Sequence, residues 1–329
     1  MMEASAAQAG LAGIARAIAD PLRPLESLIG EAGQLRSLVE QHTRLSMAAS
    51  DHMTAGERIL ESGWAISPVQ AGLCAREPLR SAAFIKGLAA AIGDALTGHA
   101  PVSVLYAGCG PFALLALPLM AIFSPQQVQF TILEVHPETL AYARELIEGC
   151  GYGGHVREFV CADAALYRIP AASMPQVIVS ETMNTALGKE PQVAIMRNLF
   201  LQAPLAALVP TAVSVHLGLP GRSRRHPCAD WGEVFTLNAS NMRAWRDAGA
   251  ASLPAASIKL PTVLHATEPR LLTRIQVYRD IVLSDYDCSL NLPLRLPGKP
   301  LLAGAATLHF HYRLGRQPGL VCEVGTGKA

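Results

Sequence analysis

Charge is scarce in this sequence. Only 16% of its 329 residues are Asp, Glu, Lys or Arg, against 50% apolar residues. A chain so balanced buries a core and does not stay unfolded. Charge of one sign is lacking as well. Lys plus Arg number 27 and Asp plus Glu 26, which removes the basic excess of a general nucleic-acid binder. No cysteine pair is spaced Cys-x-x-Cys. Cys74, Cys109, Cys150, Cys161, Cys228, Cys288 and Cys322 are scattered and odd in number. That pattern excludes a readable zinc site or disulfide framework and reads as buried free thiols in a reducing compartment. No basic stretch followed by an apolar run opens the chain, so no signal peptide is read. The longest apolar run, residues 111–123, falls short of the roughly 20 residues that span a bilayer. The expectation is a cytoplasmic chain without a membrane or nucleic-acid partner.

What is present is a succession of three textures. Residues 1–98 are Ala- and Leu-rich with helical spacing, as at Leu11, Ile14 and Ile18, and are broken near Gly63 and Pro68. Residues 99–219 alternate strand and helix patterns. Strands are expected at 102–106, 128–135, 157–163, 176–181 and 212–219, with helices at 112–123, 137–149 and 191–208. Apolar strands separated by helices of about a dozen residues predict an α/β fold with a parallel sheet covered on both faces. From 220 to 329 short runs such as LLTRIQVY, CSLNLPL and ATLHFHYRL are punctuated by Pro, Gly and Asp. They predict a β-rich unit resembling a partial barrel.

The first chemical signal is AGCGPF, residues 107–112, after an apolar strand and before an expected helix. Glycines there let backbone approach a ligand, and a helix N-terminus offers free N–H groups. A nucleotide-like cofactor is expected against Ala107, Gly108 and Gly110. Two cofactor classes fit. Gly108 to Ala113 satisfies the GxGxxA dinucleotide fingerprint. The segment also resembles the first motif of class I methyltransferases, with Tyr106 where an acidic residue is usual and Phe112 where a third glycine is usual. Glu134 ends the second strand about two dozen residues on, where a carboxylate accepts ribose hydroxyls in either class. Asp163, followed by Ala164, ends the third strand. In class I methyltransferases an acid at that place accepts the adenine amino group, which NAD enzymes do not require. The resemblance implies S-adenosyl-L-methionine as cofactor and a Rossmann-like domain.

A second carboxylate pair follows the fourth strand. Ser180-Glu181-Thr182-Met183 is succeeded by Glu190, nine positions after Glu181. This order and spacing resembles the double-E loop of the protein arginine methyltransferase family, and the three-part layout resembles that family over residues 50–329. The resemblance implies that Glu181 and Glu190 clamp a guanidinium, with Met183 beside the reacting centre. It implies that Arg80 holds the cofactor's carboxylate, with Arg76 as rival, and that the chain works as a dimer. The chemistry is consistent. A guanidinium is permanently charged, and two carboxylates bind it in forked geometry.

Departures bear on the substrate. The family's Thr-His-Trp segment is missing, with His309 and His311 as stand-ins. Arg222, Arg224 and Arg225 read as a solvated loop or as an anchor for a substrate carboxylate. A small guanidine or amine such as free arginine is expected as acceptor ahead of a protein. The alternatives are an O- or C-methyltransferase of a secondary metabolite with Glu181 or Glu190 as general base, a protein arginine methyltransferase, and a non-catalytic partner subunit.

Overall fold

The computed structural model describes residues 2–47, 53–98, 100–226, 228–247, 251–262, 268–302 and 306–325. Residues 48–50 of the expected helical stretch and Pro227 lie outside them. The Ala/Leu spacing at the start produces two helices, α1 (Met2–Ala19) and α2 (Ile29–His42), which bury Leu11, Ile18, Leu35 and Val39. A hairpin of β1 (Arg58–Leu60) and β2 (Gly63–Ala65) follows, then α3 (Pro68–Leu73) and α4 (Pro78–Ala95). A capping box starts α3: Ser67 Oγ accepts the Gln70 N–H, and Gln70 Oε1 accepts the Ser67 N–H. Helix α4 is apolar nearly all round, and it is buried nearly all round.

Beyond α4 the alternation becomes a five-stranded parallel sheet. Its strands are β3 (Val102–Ala107), β4 (Val128–Glu134), β5 (Val156–Cys161), β6 (Val177–Ser180) and β7 (Ala207–Val209), in the spatial order β5-β4-β3-β6-β7. The connections carry α5 (Leu117–Met120), α6 (Pro137–Gly149) and α7 (Gln192–Gln202). Strands β3 and β6 are buried along their whole length, as strands covered on both faces should be. The strand order reverses at β3 and β6. In open α/β sheets the crevice at the strand carboxyl ends opens at that switch point.

The remaining strands are antiparallel. They are β8 (Ala212–Leu219), β9 (Ala229–Asn238), β10 (Ser252–Lys259), β11 (Arg270–Tyr278), β12 (Ile281–Leu283), β13 (Leu294–Arg295), β14 (Thr307–Arg313) and β15 (Gly319–Gly325), with α8 (Ala239–Ala244) after β9. One sheet runs β12-β11-β8-β9 with β13 on β11, and the other runs β10-β14-β15. The Phe235 ring packs between Trp245 at 5.1 Å and Tyr312 at 4.7 Å, nearly parallel to both. Helix α4 lies between the two parts, touching β6 and β7 on the parallel side and β11 and β12 on the antiparallel side.

Several expectations are corrected. The β-rich part forms two antiparallel sheets and not a barrel, because its strands pair within their own sheets. The strand at 212–219 belongs to the antiparallel part, paired with β9 and β11. The fifth parallel strand is Ala207–Val209, inside the stretch read as helix 191–208. Three residues carry no period, so only pairing with β6 reveals them. The helix at 112–123 shrinks to Leu117–Met120. Pro118 lacks an N–H and fits only a first turn, and Ala113 has φ +42°.

Tyr312 lies fully buried and its hydroxyl donates to the Leu187 carbonyl at 2.7 Å. Tyr312→Phe leaves that carbonyl unsatisfied. It should destabilise the protein by about 1–3 kcal/mol, seen as a lower urea midpoint at unchanged slope.

Candidate active site

The turn after β3 is built on glycine geometry. Gly108 has φ +73° and Gly110 φ +63°, the region L side chains avoid. At Gly108 there is also no space: a Cβ would stand 2.1 Å from Thr182 Cγ2. The bare backbone of this turn therefore lies against the turn after β6. The Gly110 N–H donates to Glu134 Oε2 at 3.2 Å. Glu134 Oε1 accepts the N–H groups of Val135 at 2.8 Å and His136 at 3.1 Å. Burial pushes the Glu134 carboxyl above the usual carboxylate range, against the pull of those donors. Asp163, two residues past β5, accepts the Ala165 N–H at 2.8 Å and the Ser62 hydroxyl at 3.2 Å.

Gly108, Gly110, Glu134, Asp163 and Ala164 line one cavity, with about 1330 Å³ of space counted out to its open mouth. Ala107 is buried behind the turn and does not reach it. Two acids over a glycine turn suit a ribose and an exocyclic amine. The residues therefore fit an adenosyl group.

The same cavity holds the second carboxylate pair. Glu181 stands directly after β6. Arg80, on the first turn of α4, grips it with Nε at 3.0 Å from Oε2 and Nη2 at 2.6 Å from both oxygens. Burial raises the Glu181 carboxyl, and the Arg80 guanidinium opposes that shift. Arg80 Nη1 also donates to Glu77 Oε2 at 2.7 Å. Glu77 accepts from Ser289 in turn, the backbone N–H at 2.8 Å and the hydroxyl at 3.0 Å. Desolvation of Glu77 is outweighed by Arg80 and Ser289, which hold its carboxyl below the usual range. Arg76 does not line the cavity and faces Glu40 at 3.7 Å. Of the two rival arginines, only Arg80 is at the site.

Glu190 lines the cavity too, and its carboxylate has no hydrogen bond or ion pair among the described residues. Burial, and then the neighbouring Glu181 charge, push it up to about 7. Met183 is buried in the same wall. The chain between the two glutamates is held in backbone that ordinary residues avoid: Ala186 at φ +54°, Leu187 at +56° and Lys189 at +65°. It persists because neighbours hold it. Thr273 Oγ1 accepts the Ala186 N–H at 2.9 Å, and Tyr312 donates to the Leu187 carbonyl. The Lys189 N–H donates to the Pro318 carbonyl at 2.9 Å, and the Lys189 carbonyl accepts the Trp64 N–H at 2.9 Å. Gln192 fastens the near end. Its Oε1 accepts the Thr182 N–H at 2.9 Å, and its amide donates to the Ser180 carbonyl at 2.9 Å.

Other expected residues stay away. His309 and His311 lie on β14 and do not line the cavity, and His309 bonds to Ser257. From the antiparallel part it is Ser289 and Leu290 that reach the cavity. Arg222, Arg224 and Arg225 do not line it either. Arg224 pairs with Glu26 at 2.9 Å and Asp287 at 2.7 Å, which makes it a tie between loops and not a substrate anchor. Glu77, Gln192, Ser289 and Trp64 went unread in the sequence. Glu77 had a weak signal, three residues before Arg80 where one helical turn joins them. Among the described residues no His, Cys, Asp and Glu group could hold a metal, and no helix is long and apolar enough to cross a membrane. All seven cysteines are free thiols.

No protein-family model matches the chain, and no curated protein matches it. Among solved structures, the Trypanosoma brucei PRMT1 enzyme–prozyme heterotetrameric complex with AdoHcy is 12% identical to it. That match covers 77% of this chain and 92% of the other, at a TM-score of 0.47. A likeness of that depth bears on neither ligand nor substrate, so function is read from the site.

Gly108→Ala should destabilise the fold by about 1–3 kcal/mol through overpacking and left-handed strain. Adding Thr182→Ser, which removes the clashing methyl and keeps the hydroxyl on Gln192, should restore part of the loss in urea unfolding. No recovery in the double variant would refute the contact.

Proposed function

We propose that this chain is an S-adenosylmethionine-dependent methyltransferase acting on a guanidino or related nitrogen of a small molecule. One observation carries the reading. The cavity that holds a glycine turn and two acids suited to an adenosyl group also holds Glu181 and Glu190, and among the described residues nothing pairs with the Glu190 carboxylate. S-adenosylmethionine bound there supplies a methyl group on a positively charged sulfur. Glu134 and Asp163 accept from the ribose and the adenine amine. Arg80, with permanent positive charge at the cavity wall, is suited to the cofactor's carboxylate.

The two glutamates act on the acceptor. A guanidinium spreads its charge over three nitrogens and is a poor nucleophile. Carboxylates bound to two of those nitrogens hold charge there and leave the third richer in electrons and fixed in direction. That nitrogen sheds one proton as it is alkylated. Glu190, poised near neutrality, is suited to take it. A small acceptor is favoured by the enclosure of this end. Leu60 and Trp64 of the hairpin and Ser289 and Leu290 of the antiparallel part all stand in the cavity wall. A second reading rests on the same Glu190: a carboxyl near 7 also suits a general base for an oxygen acceptor. Mass spectrometry of a mixed guanidine, amine and phenol panel separates the two by which compounds gain a methyl.

Calorimetric titration with S-adenosylhomocysteine should show saturable binding. Clear NADH binding in its place would sink the proposal. Glu181→Gln should keep the fold and lower turnover by about 10²-fold or more; full activity would refute the clamp.

The pH profile follows from Glu190. Its carboxyl lies above the ordinary range, so it is protonated below about 7 and ionised above. Only the ionised form attracts a cation. The value of kcat/KM for a guanidine should therefore rise as pH rises through about 7 and then level. Glu190→Gln should lower kcat/KM and flatten that limb. The same shift opposes stability: the unliganded protein should lose stability as pH rises from about 4.5 to about 7, less so in Glu190→Gln.

A further inference from the structure

Arg80 is engaged on two sides, and its hydrogen bonds leave little for a third partner. A guanidinium carries five N–H groups. In Arg80, Nε and Nη2 donate to the two oxygens of Glu181, and Nη1 donates to Glu77 at 2.7 Å. Among the described residues this leaves a single N–H, on Nη1, without a partner. A carboxylate is held most firmly by a fork of two parallel N–H groups from two nitrogens. A cofactor carboxylate therefore gains a fork on Arg80 only if Glu181 or Glu77 gives way.

Their positions decide which. Glu77 does not line the cavity, and Ser289 holds it by two further hydrogen bonds. Glu181 does line the cavity, and Arg80 is the one partner of its carboxylate among the described residues. The Arg80 and Glu181 side chains also keep 9% and 12% of their surface exposed, so the pair is not sealed off. A ligand in the cavity thus competes with Glu181. Once released, Glu181 is a buried carboxylate without a counter-charge, which is unfavourable. A cationic acceptor removes that penalty. While Arg80 covers both oxygens, by contrast, the acceptor meets a carboxylate that is already neutralised.

We infer that Arg80 couples the two ligands by exchange: the cofactor's amino-acid carboxylate takes over the Arg80 fork, and Glu181 passes from Arg80 to the guanidinium of the acceptor. The inference rests on the proposed function and adds an order of binding to it. Arg80 is then a positioning residue toward the acceptor, acting through Glu181. Glu77 and Ser289 are the fixed end on which the guanidinium stays while Glu181 changes partner. Such coupling is reciprocal, so the acceptor tightens the cofactor by the same factor.

The test is calorimetric titration with agmatine, a guanidine that brings no carboxylate of its own. It is run at about pH 8, above the Glu190 transition at about 7. Agmatine is added to the protein alone, to its complex with S-adenosylhomocysteine, and to its complex with the analogue lacking only the carboxyl group. S-adenosylhomocysteine should tighten agmatine about tenfold, within the usual range of coupling between sites, and the analogue by less than about twofold. Arg80→Lys keeps the charge and loses the fork. In that variant, its fold checked by thermal unfolding, the difference between the two complexes should vanish. If it does not fold, the comparison of the two complexes of the parent still decides.

Equal agmatine affinity with and without S-adenosylhomocysteine would overturn the exchange, as would equal tightening by the analogue or coupling that persists in Arg80→Lys. In each of those cases S-adenosylhomocysteine and agmatine have bound, so the proposed function stands. Binding of S-adenosylhomocysteine with no binding of agmatine in any state overturns the exchange and the guanidine part of that reading. A parent that binds neither defeats both together.

Discussion

Two carboxyls, Glu181 and Glu190, are held at one cavity, and much of the surrounding structure serves to keep them there. Burial and mutual repulsion both favour protonation. The Arg80 guanidinium opposes this at Glu181 with three contacts of 3.0 Å or less. Glu190 has no such partner, and its carboxyl is pushed up to about 7. The asymmetry ties Glu181 to Arg80 and leaves Glu190 without such a tie among the described residues. Glu77 takes the other edge of Arg80, and Glu77 is in turn fixed by Ser289. The electrostatics of the parallel-sheet crevice thus extend to a residue of the antiparallel part.

That dependence gives the second part of the molecule a mechanical role. Between the glutamates, Ala186, Leu187 and Lys189 all take positive φ, at roughly 1–3 kcal/mol each. Hydrogen bonds accepted by Thr273 Oγ1 and the Pro318 carbonyl and donated by the Tyr312 hydroxyl oppose the release of that strain. All three belong to the antiparallel region. A parallel sheet can end its strands at a crevice, but its loops there are exposed and soft. Here the loop is held between the carboxyl end of the parallel sheet, the two antiparallel sheets and the hairpin at Trp64. Helix α4 touches both parts along its length, so it holds Arg80 in register with both.

The legible portion of this fold and site was the portion that lies at strand ends. Gly108, Gly110, Glu134, Asp163 and Glu181 all stand within three residues of a strand end, and Glu190 was legible through its spacing from Glu181. Their convergence on one cavity follows from the parallel topology, which brings the carboxyl ends together. What was not legible depends on contacts between distant segments. Ser289 lies 212 positions from Glu77, and nothing local distinguishes it from a loop serine. Gln192 reads as a helix residue, and its role appears only when Ser180 and Thr182 are seen turning over it. Strand β7 is three residues long and borrows its conformation from β6. His309 and His311 failed for the opposite reason: alternation on a strand is a local signal, and it carried no information about which end of the sheet faces the cavity.

The two departures in the glycine motif are explained by the same packing. A third glycine in such turns serves close packing of a following helix on its strand. In this chain no regular helix starts there. Ala113 turns left-handed, and helix returns only for Leu117–Met120. Phe112 occupies the freed position, and the close approach moves to the facing helix α3. There a Cβ on Gly72 would stand 3.3 Å from the Phe112 ring and 2.9 Å from Met47 Sδ. The Phe112 ring therefore packs close against Gly72, where a larger residue would press on Phe112 and Met47. Tyr106 is buried in the cavity wall and donates to the Cys109 carbonyl at 3.3 Å, so it ties the turn internally where an acid would have faced the ligand. The turn after β3 thus draws its support from its own tyrosine and from the facing helix α3.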